Sequence, residues 1–217
     1  MDYTIDTVVE TKKSVDWSTY AITLRFTDQE IIRDIIKLYN HGAPFAADAT
    51  YSTGVFWKGL PQPKLKFDIA PQIEGVTKAD ARCLPLGDSS VSSVMFDPPF
   101  VMKNTTTRVP NGIIEIRFSG YKDAKSLWGF YSDALKEFYR ILEPNGIVAF
   151  KCQDVVSSGR QWWSHIEVYR MAIETGFVAK DLFIKGRKSV MWSPNMANQK
   201  HAKKNHSFWW IFKKGDR

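Results

Sequence analysis

Two adjacent prolines set the strongest constraint on how this chain folds. Pro98 and Pro99 follow an apolar run, Val94-Met95-Phe96, and are flanked by Asp97 and Phe100. Proline fixes φ and carries no backbone N–H, so a Pro-Pro pair cannot continue into the middle of a sheet. The run is therefore expected to be a buried strand that stops at Asp97, with a stiff turn behind it. That turn offers a carboxylate, a backbone carbonyl on a residue with no N–H of its own, and a flat ring. Together these can hold a planar amine for attack on an electrophile.

Around this point strand-like and helix-like segments alternate. Thr27 is placed as an N-cap, Glu30 stands at the third helical position, and Ile31, Ile32, Ile35, Ile36 and Leu38 form one broad apolar face before Gly42. Residues 43–49 are expected to form a buried strand entering a loop at 50–54. Further strands are expected at 64–69, 76–79 and 91–96. A helix fits 122–141, closed by Pro144-Asn145-Gly146, and a strand fits 147–152. The helical pattern repeats over 161–175, and 177–184 with 207–213 resemble a closing antiparallel pair. Residues 20–26 alternate like a strand or an extended arm. Strands alternating with helices imply a mostly parallel sheet covered on both faces, with a ligand beyond the carboxyl ends of its strands. With no internal repeat or low-complexity linker, one domain is expected over 1–217. An N-terminal arm and helix would occupy 1–42 and the core 43–217.

The net charge of +7 is unevenly distributed. From Lys180 to Arg217 ten Lys and Arg stand against two acids, whereas the other 179 residues carry 20 basic and 21 acidic groups. A near-neutral body with a basic end suits a polyanion, because cations gain affinity by releasing counterions from phosphates. Interleaved Phe183, Trp192, Phe208, Trp209 and Trp210 argue against a merely solvated tail. No run approaches the ~18 apolar residues of a membrane span, and the acidic N-terminal stretch does not resemble a secretion signal. Cys83 and Cys152 form no CxxC pair and read as core or near-core thiols of a cytoplasmic protein. His201 and His206 lack ligating partners nearby, so no metal is expected. Trp162 and Trp163 are expected in the core or at a helix–sheet boundary.

The acidic residues fall at successive strand ends: Asp48, Asp68, Asp80 and Asp97. At this level the chain resembles the class I S-adenosylmethionine-dependent amino-methyltransferases that act on exocyclic amines of nucleobases, over about residues 44–213. The resemblance is sharpest at Ala79-Asp80-Ala81-Arg82-Cys83-Leu84-Pro85-Leu86 followed by 91–100. It implies a Rossmann-like α/β fold with a mostly parallel seven-stranded sheet and an antiparallel C-terminal hairpin. It also implies S-adenosylmethionine as cofactor. By that resemblance Asp97, Pro98, Pro99 and Phe100 accept the target amine. Asp68 holds the cofactor ribose, Asp80 reads its adenine, and Asp48, Ala49, Thr50, Gly54 and Ala81 complete the cofactor site. The first loop, residues 48–54, departs from the family in having a single glycine. Only about a dozen residues separate Asp68 from Asp80, so the early crossover helices are shortened.

The resemblance favours a DNA amine, adenine N6 or cytosine N4, in a bacterial or phage-infected host. The target base would be flipped out of the duplex at a cost of a few kcal/mol. Lys103, Arg108, Arg187, Lys188, Lys203, Lys204 and His206 are the candidate nucleic-acid contacts, the first two on a loop over 101–121 expected to close over substrate. A homodimer or a separate specificity subunit is a further expectation, since no target-recognition domain fits this length. Two alternatives stay open: an RNA base methyltransferase, and a non-catalytic nucleic-acid-binding relative or subunit.

Overall fold

The computed structural model describes residues 20–100, 121, 123–189 and 199–215. Strand β1 (Leu24–Arg25) leads into helix α1 (Asp28–Tyr39), then β2 (Ala47–Asp48), a 3-10 turn at Val55–Trp57, β3 (Leu65–Asp68), β4 (Thr77–Lys78) and β5 (Val91–Phe96). The second half runs α2 (Ala124–Ile141), β6 (Leu142–Cys152), β7 (Val155–Ser157), β8 (Arg160–Trp162), α3 (Ser164–Thr175), β9 (Phe177–Gly186) and β10 (His206–Lys214). One sheet takes the order β1-β9-β10-β6-β5-β2-β3-β4, and β7 with β8 forms a separate hairpin. Only β10 runs against its neighbours; every other pairing in the main sheet is parallel.

The main sheet thus has eight strands, one more than expected. The extra one is β1, which pairs with the edge strand β9 through Leu24 and Arg25. The ion pair from Arg25 Nε to Asp34 Oδ2 (2.7 Å) ties it to α1. The expected strand over 43–49 shrinks to two residues. Ala46 gives its N–H to the Ser93 hydroxyl of the neighbouring β5 (2.9 Å) rather than to a backbone carbonyl of the sheet. Pro144-Asn145-Gly146 does not end the helix by a turn, because β6 already starts at Leu142. Opposite β5 the register jumps from Val91↔Leu142 to Ser93↔Ile147, so these residues loop out as a bulge with Asn145 at φ 66°. The helix expected from 161 starts at Ser164. Residues 160–162 instead pair with 155–157 across Ser158 and Gly159, both at positive φ, which suits a tight hairpin turn.

Apolar residues close both faces of the sheet. On one side α2 and α3 bury Tyr131, Leu135, Phe138 and Val168 against Phe96, Phe150 and Phe212. Phe96 lies edge-on to Phe138 and Phe150, each at 4.9 Å between ring centres. On the other side α1 packs Ile31, Ile32 and Ile35 with Phe45, Trp57 and Trp209. The capping box at Thr27 and Glu30 starts α1 as its sequence indicates. Leu38 is exposed, however, and Tyr39 turns inward instead, its hydroxyl donating to Asp181 Oδ2 at 2.7 Å. Trp162 sits edge-on to Trp128 (5.3 Å), but Trp163 is 53% exposed and outside the core. Cys152 is buried, whereas Cys83 lies exposed in the turn that its N–H closes onto the Asp80 carbonyl. Among the described residues no helix is long and apolar enough to cross a membrane.

Candidate active site

The chain leaves β2 toward β3 and β4 on one side and places β5 and β6 on the other. The sheet order therefore reverses between β2 and β5, and the loops leaving their carboxyl ends separate. A crevice at such a reversal is where open α/β sheets bind ligands. Here it holds a cavity of about 490 Å³, within the ~300–1,000 Å³ usual for small-ligand sites. The expected cofactor residues Ala49, Thr50, Asp68, Asp80 and Ala81 line it, as do all four of Asp97, Pro98, Pro99 and Phe100.

Asp48 and Gly54 are not among its walls. The Asp48 carboxylate turns into the protein, where Oδ1 accepts the Thr50 N–H (2.8 Å) and Oδ2 accepts the Trp57 indole N–H (2.7 Å). Burial pushes this carboxyl up to about 7, against the pull of those two donors and with a further push from Asp97. Gly54 starts the 3-10 turn at φ 73°, and the Tyr51 ring lies over it so closely that an added Cβ would meet Tyr51 Oη at 2.5 Å. The single glycine of this loop is required by its conformation and by the tyrosine above it.

Asp68 is buried and shapes the adjoining loops, its Oδ2 accepting the Ser52 N–H (2.9 Å) and its Oδ1 the Ala70 N–H (2.8 Å). Asp68 also lines the cavity. Asp80 follows β4 and binds Arg82, with Nη2 to Oδ2 at 2.6 Å. Hydrogen bonding from Arg82 holds its carboxyl below the usual range. The Arg82 guanidinium in turn lies over the Phe130 ring (5.7 Å), and Tyr121 stacks on that ring from within the cavity wall (5.3 Å).

The turn after β5 is held from two sides. The Asp97 N–H donates to Thr50 Oγ1 (2.8 Å), joining it to the loop after β2, and the buried Tyr131 hydroxyl donates to the Pro99 carbonyl (2.9 Å). No hydrogen bond from another described residue reaches the Pro98 carbonyl. The Asp97 side chain keeps 22% of its exposure, yet its Oδ1 is buried without a hydrogen-bond partner. The ammonium of Lys151 stands 3.5 Å from that oxygen. Burial raises the Asp97 carboxyl above its ordinary range, with Lys151 pulling the other way.

The residues expected to meet nucleic acid are more scattered. Lys103 and Arg108, with the loop over 101–120, lie outside the described residues, as does Trp192. Arg187 and Asn205 exchange backbone and side-chain hydrogen bonds across the β9–β10 connection. Lys188 lies over the Phe26 ring (5.4 Å) and Lys204 over the exposed Trp163 ring (5.8 Å). Lys203 is half-buried, and His206 opens β10 edge-on to Phe208 (5.0 Å). Phe183, Phe208 and Trp209 are buried strand residues, so their alternation with cations reflects the sheet core rather than a binding tail. Sequence reasoning missed Lys151, Asp28, Tyr131 and Trp57. Tyr131 and Trp57 sit in apolar patterns that read as core, and Asp28 reads as an ordinary acid in the first turn of a helix; only Lys151, a lone cation within a buried run, carries a visible signal.

The open, mostly parallel α/β fold with its crevice at the sheet reversal is shared with solved methyltransferase structures. No protein-family model matches the chain, and no curated protein matches it. Solved structures do. The 1,6-didemethyltoxoflavin-N1-methyltransferase of Burkholderia thailandensis, with S-adenosylhomocysteine bound, aligns at TM-score 0.54 and 11% identity, over 87% of this chain and 77% of its own. The Galdieria sulphuraria protein assigned as a sarcosine dimethylglycine methyltransferase aligns at 0.53 and 14%, over 87% and 85%. The Thermus thermophilus protein assigned as a DNA modification methylase, complexed with S-adenosyl-L-methionine, aligns at 0.46 and 16%, over 64% of this chain. The chain spans about half the length of that methylase, 54%.

Proposed function

We propose that this chain is an S-adenosylmethionine-dependent methyltransferase acting on an exocyclic amine of a nucleic-acid base, with DNA adenine N6 or cytosine N4 as the favoured targets. The observation that carries the reading is the joining of Asp97, Pro98, Pro99 and Phe100 with Asp68 and Asp80 in one cavity at the reversal of the sheet. The carboxylates of Asp68 and Asp80 suit the ribose hydroxyls and adenine amine of the cofactor. Ala49 and Ala81 leave room for its backbone-hugging tail. The bound cofactor would supply an electrophilic methyl group on a sulfonium centre.

The protein's own part is positioning. An aryl amine is a poor nucleophile because its lone pair is delocalised into the ring. Asp97 accepts one N–H and the Pro98 carbonyl the other, which draws the nitrogen toward tetrahedral geometry and frees the pair. A nitrogen that took up the methyl group would become cationic and acidic, and would give its proton to Asp97 or to water, so no strong base is needed. Tyr131 and Thr50 keep the turn from yielding, and Phe100 stacks on the base.

Tritiated methyl transfer to duplex DNA, single-stranded DNA and tRNA, followed by nucleoside analysis, tests substrate and position together. Asp97→Ala is expected to lower transfer by at least about 100-fold while cofactor affinity stays within about threefold. Absence of S-adenosylmethionine binding by the wild-type chain refutes the enzyme reading, and transfer to tRNA alone replaces DNA by RNA.

A further inference from the structure

Beneath Asp97 lies a buried set of charges that the reaction as described does not use. Lys151, in β6, is 6% exposed and stands between two carboxylates, 3.1 Å from Asp28 Oδ1 and 3.5 Å from Asp97 Oδ1. Asp28, at the start of α1, is equally buried and also binds Lys185 of β9 and the Trp209 indole N–H (3.3 Å). The Lys151 ammonium is walled by the Phe56 and Trp209 rings, at 4.3 and 5.3 Å. Two acids and two lysines balance in charge. Burying ions costs several kcal/mol each, so such a cluster is a weak stabiliser compared with an apolar core of the same volume. Its position, touching the one oxygen of Asp97 that is closed to the cavity, gives it a use.

We propose that Lys151 is a positioning residue for Asp97, anchoring Oδ1 from inside the protein so that the carboxylate stays ionised and turns Oδ2 to the amine, and that Asp28 on α1 sets where Lys151 stands. The inference rests on the methyltransferase reading for its use, though the electrostatic arrangement is independent of it. It makes the N-terminal helix part of the active site: α1 reaches the reacting group through Asp28 and Lys151. Among the described residues, the titratable groups facing Asp97 are Lys151 from β6, Asp28 from α1, Lys185 from β9, Asp48 from β2 and the Tyr131 hydroxyl from α2.

The two charges act on Asp97 in opposite senses, which separates an electrostatic role from a structural one. Lys151→Met keeps most of the stem and removes the cation, so the Asp97 carboxyl is left buried beside Asp28 and must titrate higher. Asp28→Asn removes the opposing acid, so the carboxyl must titrate lower. We expect the Asp97 titration midpoint, followed by carbon-13 NMR and assigned with Asp97→Asn, to rise by about one unit or more in K151M and to fall in D28N, tenfold in the ionised fraction per unit. The acidic limb of the methyl-transfer profile is expected to move the same way in each variant, with cofactor affinity unchanged. Midpoints that stay put, or that move together, overturn the proposal. If the wild-type chain transfers no methyl group, the functional reading fails while the carboxyl titration still decides the charge arrangement. Should K151M not fold, D28N alone tests the sign.

Discussion

Asp48→Asn is expected to remove a pH dependence of stability that the wild-type fold carries. The carboxyl titrates near 3.8 when exposed and at about 7 in the folded chain, chiefly because burial disfavours its charge. Between those values the native state keeps a proton that the unfolded chain has released. Stability is therefore full below the lower value, falls as pH rises through the window, and levels off above the upper one. Three units at 1.36 kcal/mol each make the full span about 4 kcal/mol, of which roughly 2–3 falls between about pH 5 and pH 8. At a urea slope of ~2–3 kcal/mol/M this is a midpoint shift of about 1 M. The asparagine also loses an acceptor opposite the Trp57 indole, a cost of about 1–3 kcal/mol that does not vary with pH. The quantity to measure is thus the difference in urea midpoint between wild type and D48N across that range, in which other titrating groups cancel. D48N should be the less stable protein at acid pH, with the gap closing and then reversing as pH rises, because the wild type's loss of about 4 kcal/mol exceeds that fixed cost. A gap that stays constant refutes the account, since the carboxyl would then be ionised throughout.

Two further substitutions probe the frame of the site. Phe96→Ala removes a fully buried ring packed between Phe138 and Phe150 and is expected to cost about 3–5 kcal/mol by urea denaturation. Gly54→Ala puts a Cβ at positive φ and against the Tyr51 hydroxyl, so a loss of at least about 1 kcal/mol is expected in thermal unfolding.

The local rules are readable at particular places. Thr27 and Glu30 cap α1 as their spacing indicates, because a capping box needs only neighbours three residues apart. Strand β5 begins at Val91 and ends at Phe96, where Asp97 and the prolines stop it. The edges of other elements were less legible. Whether Pro144-Asn145-Gly146 makes a turn or a bulge depends on which strand lies opposite, and β1 exists only because β9 leaves an edge for it. Trp162 and Trp163 are adjacent and chemically equal, yet one packs on Trp128 and the other faces solvent, a division made by the β7–β8 hairpin.

The same holds at the site. Strand-like runs that close on Asp48, Asp68 and Asp97 already place acids at strand ends, since the period of burial along a strand is a local property, but whether those strands pair parallel is decided only when they meet. The sequence alone also determined a rigid Asp-Pro-Pro-Phe turn, because proline carries its restriction with it. Only the tertiary structure decided which carboxylates face the cavity. It turned Asp48 inward onto Trp57 and set Lys151 beneath Asp97 with Asp28 behind it. Those partners are 9, 54 and 123 residues apart along the chain. A charge gains or loses its proton according to what surrounds it in space, and that is fixed only when distant segments pack together.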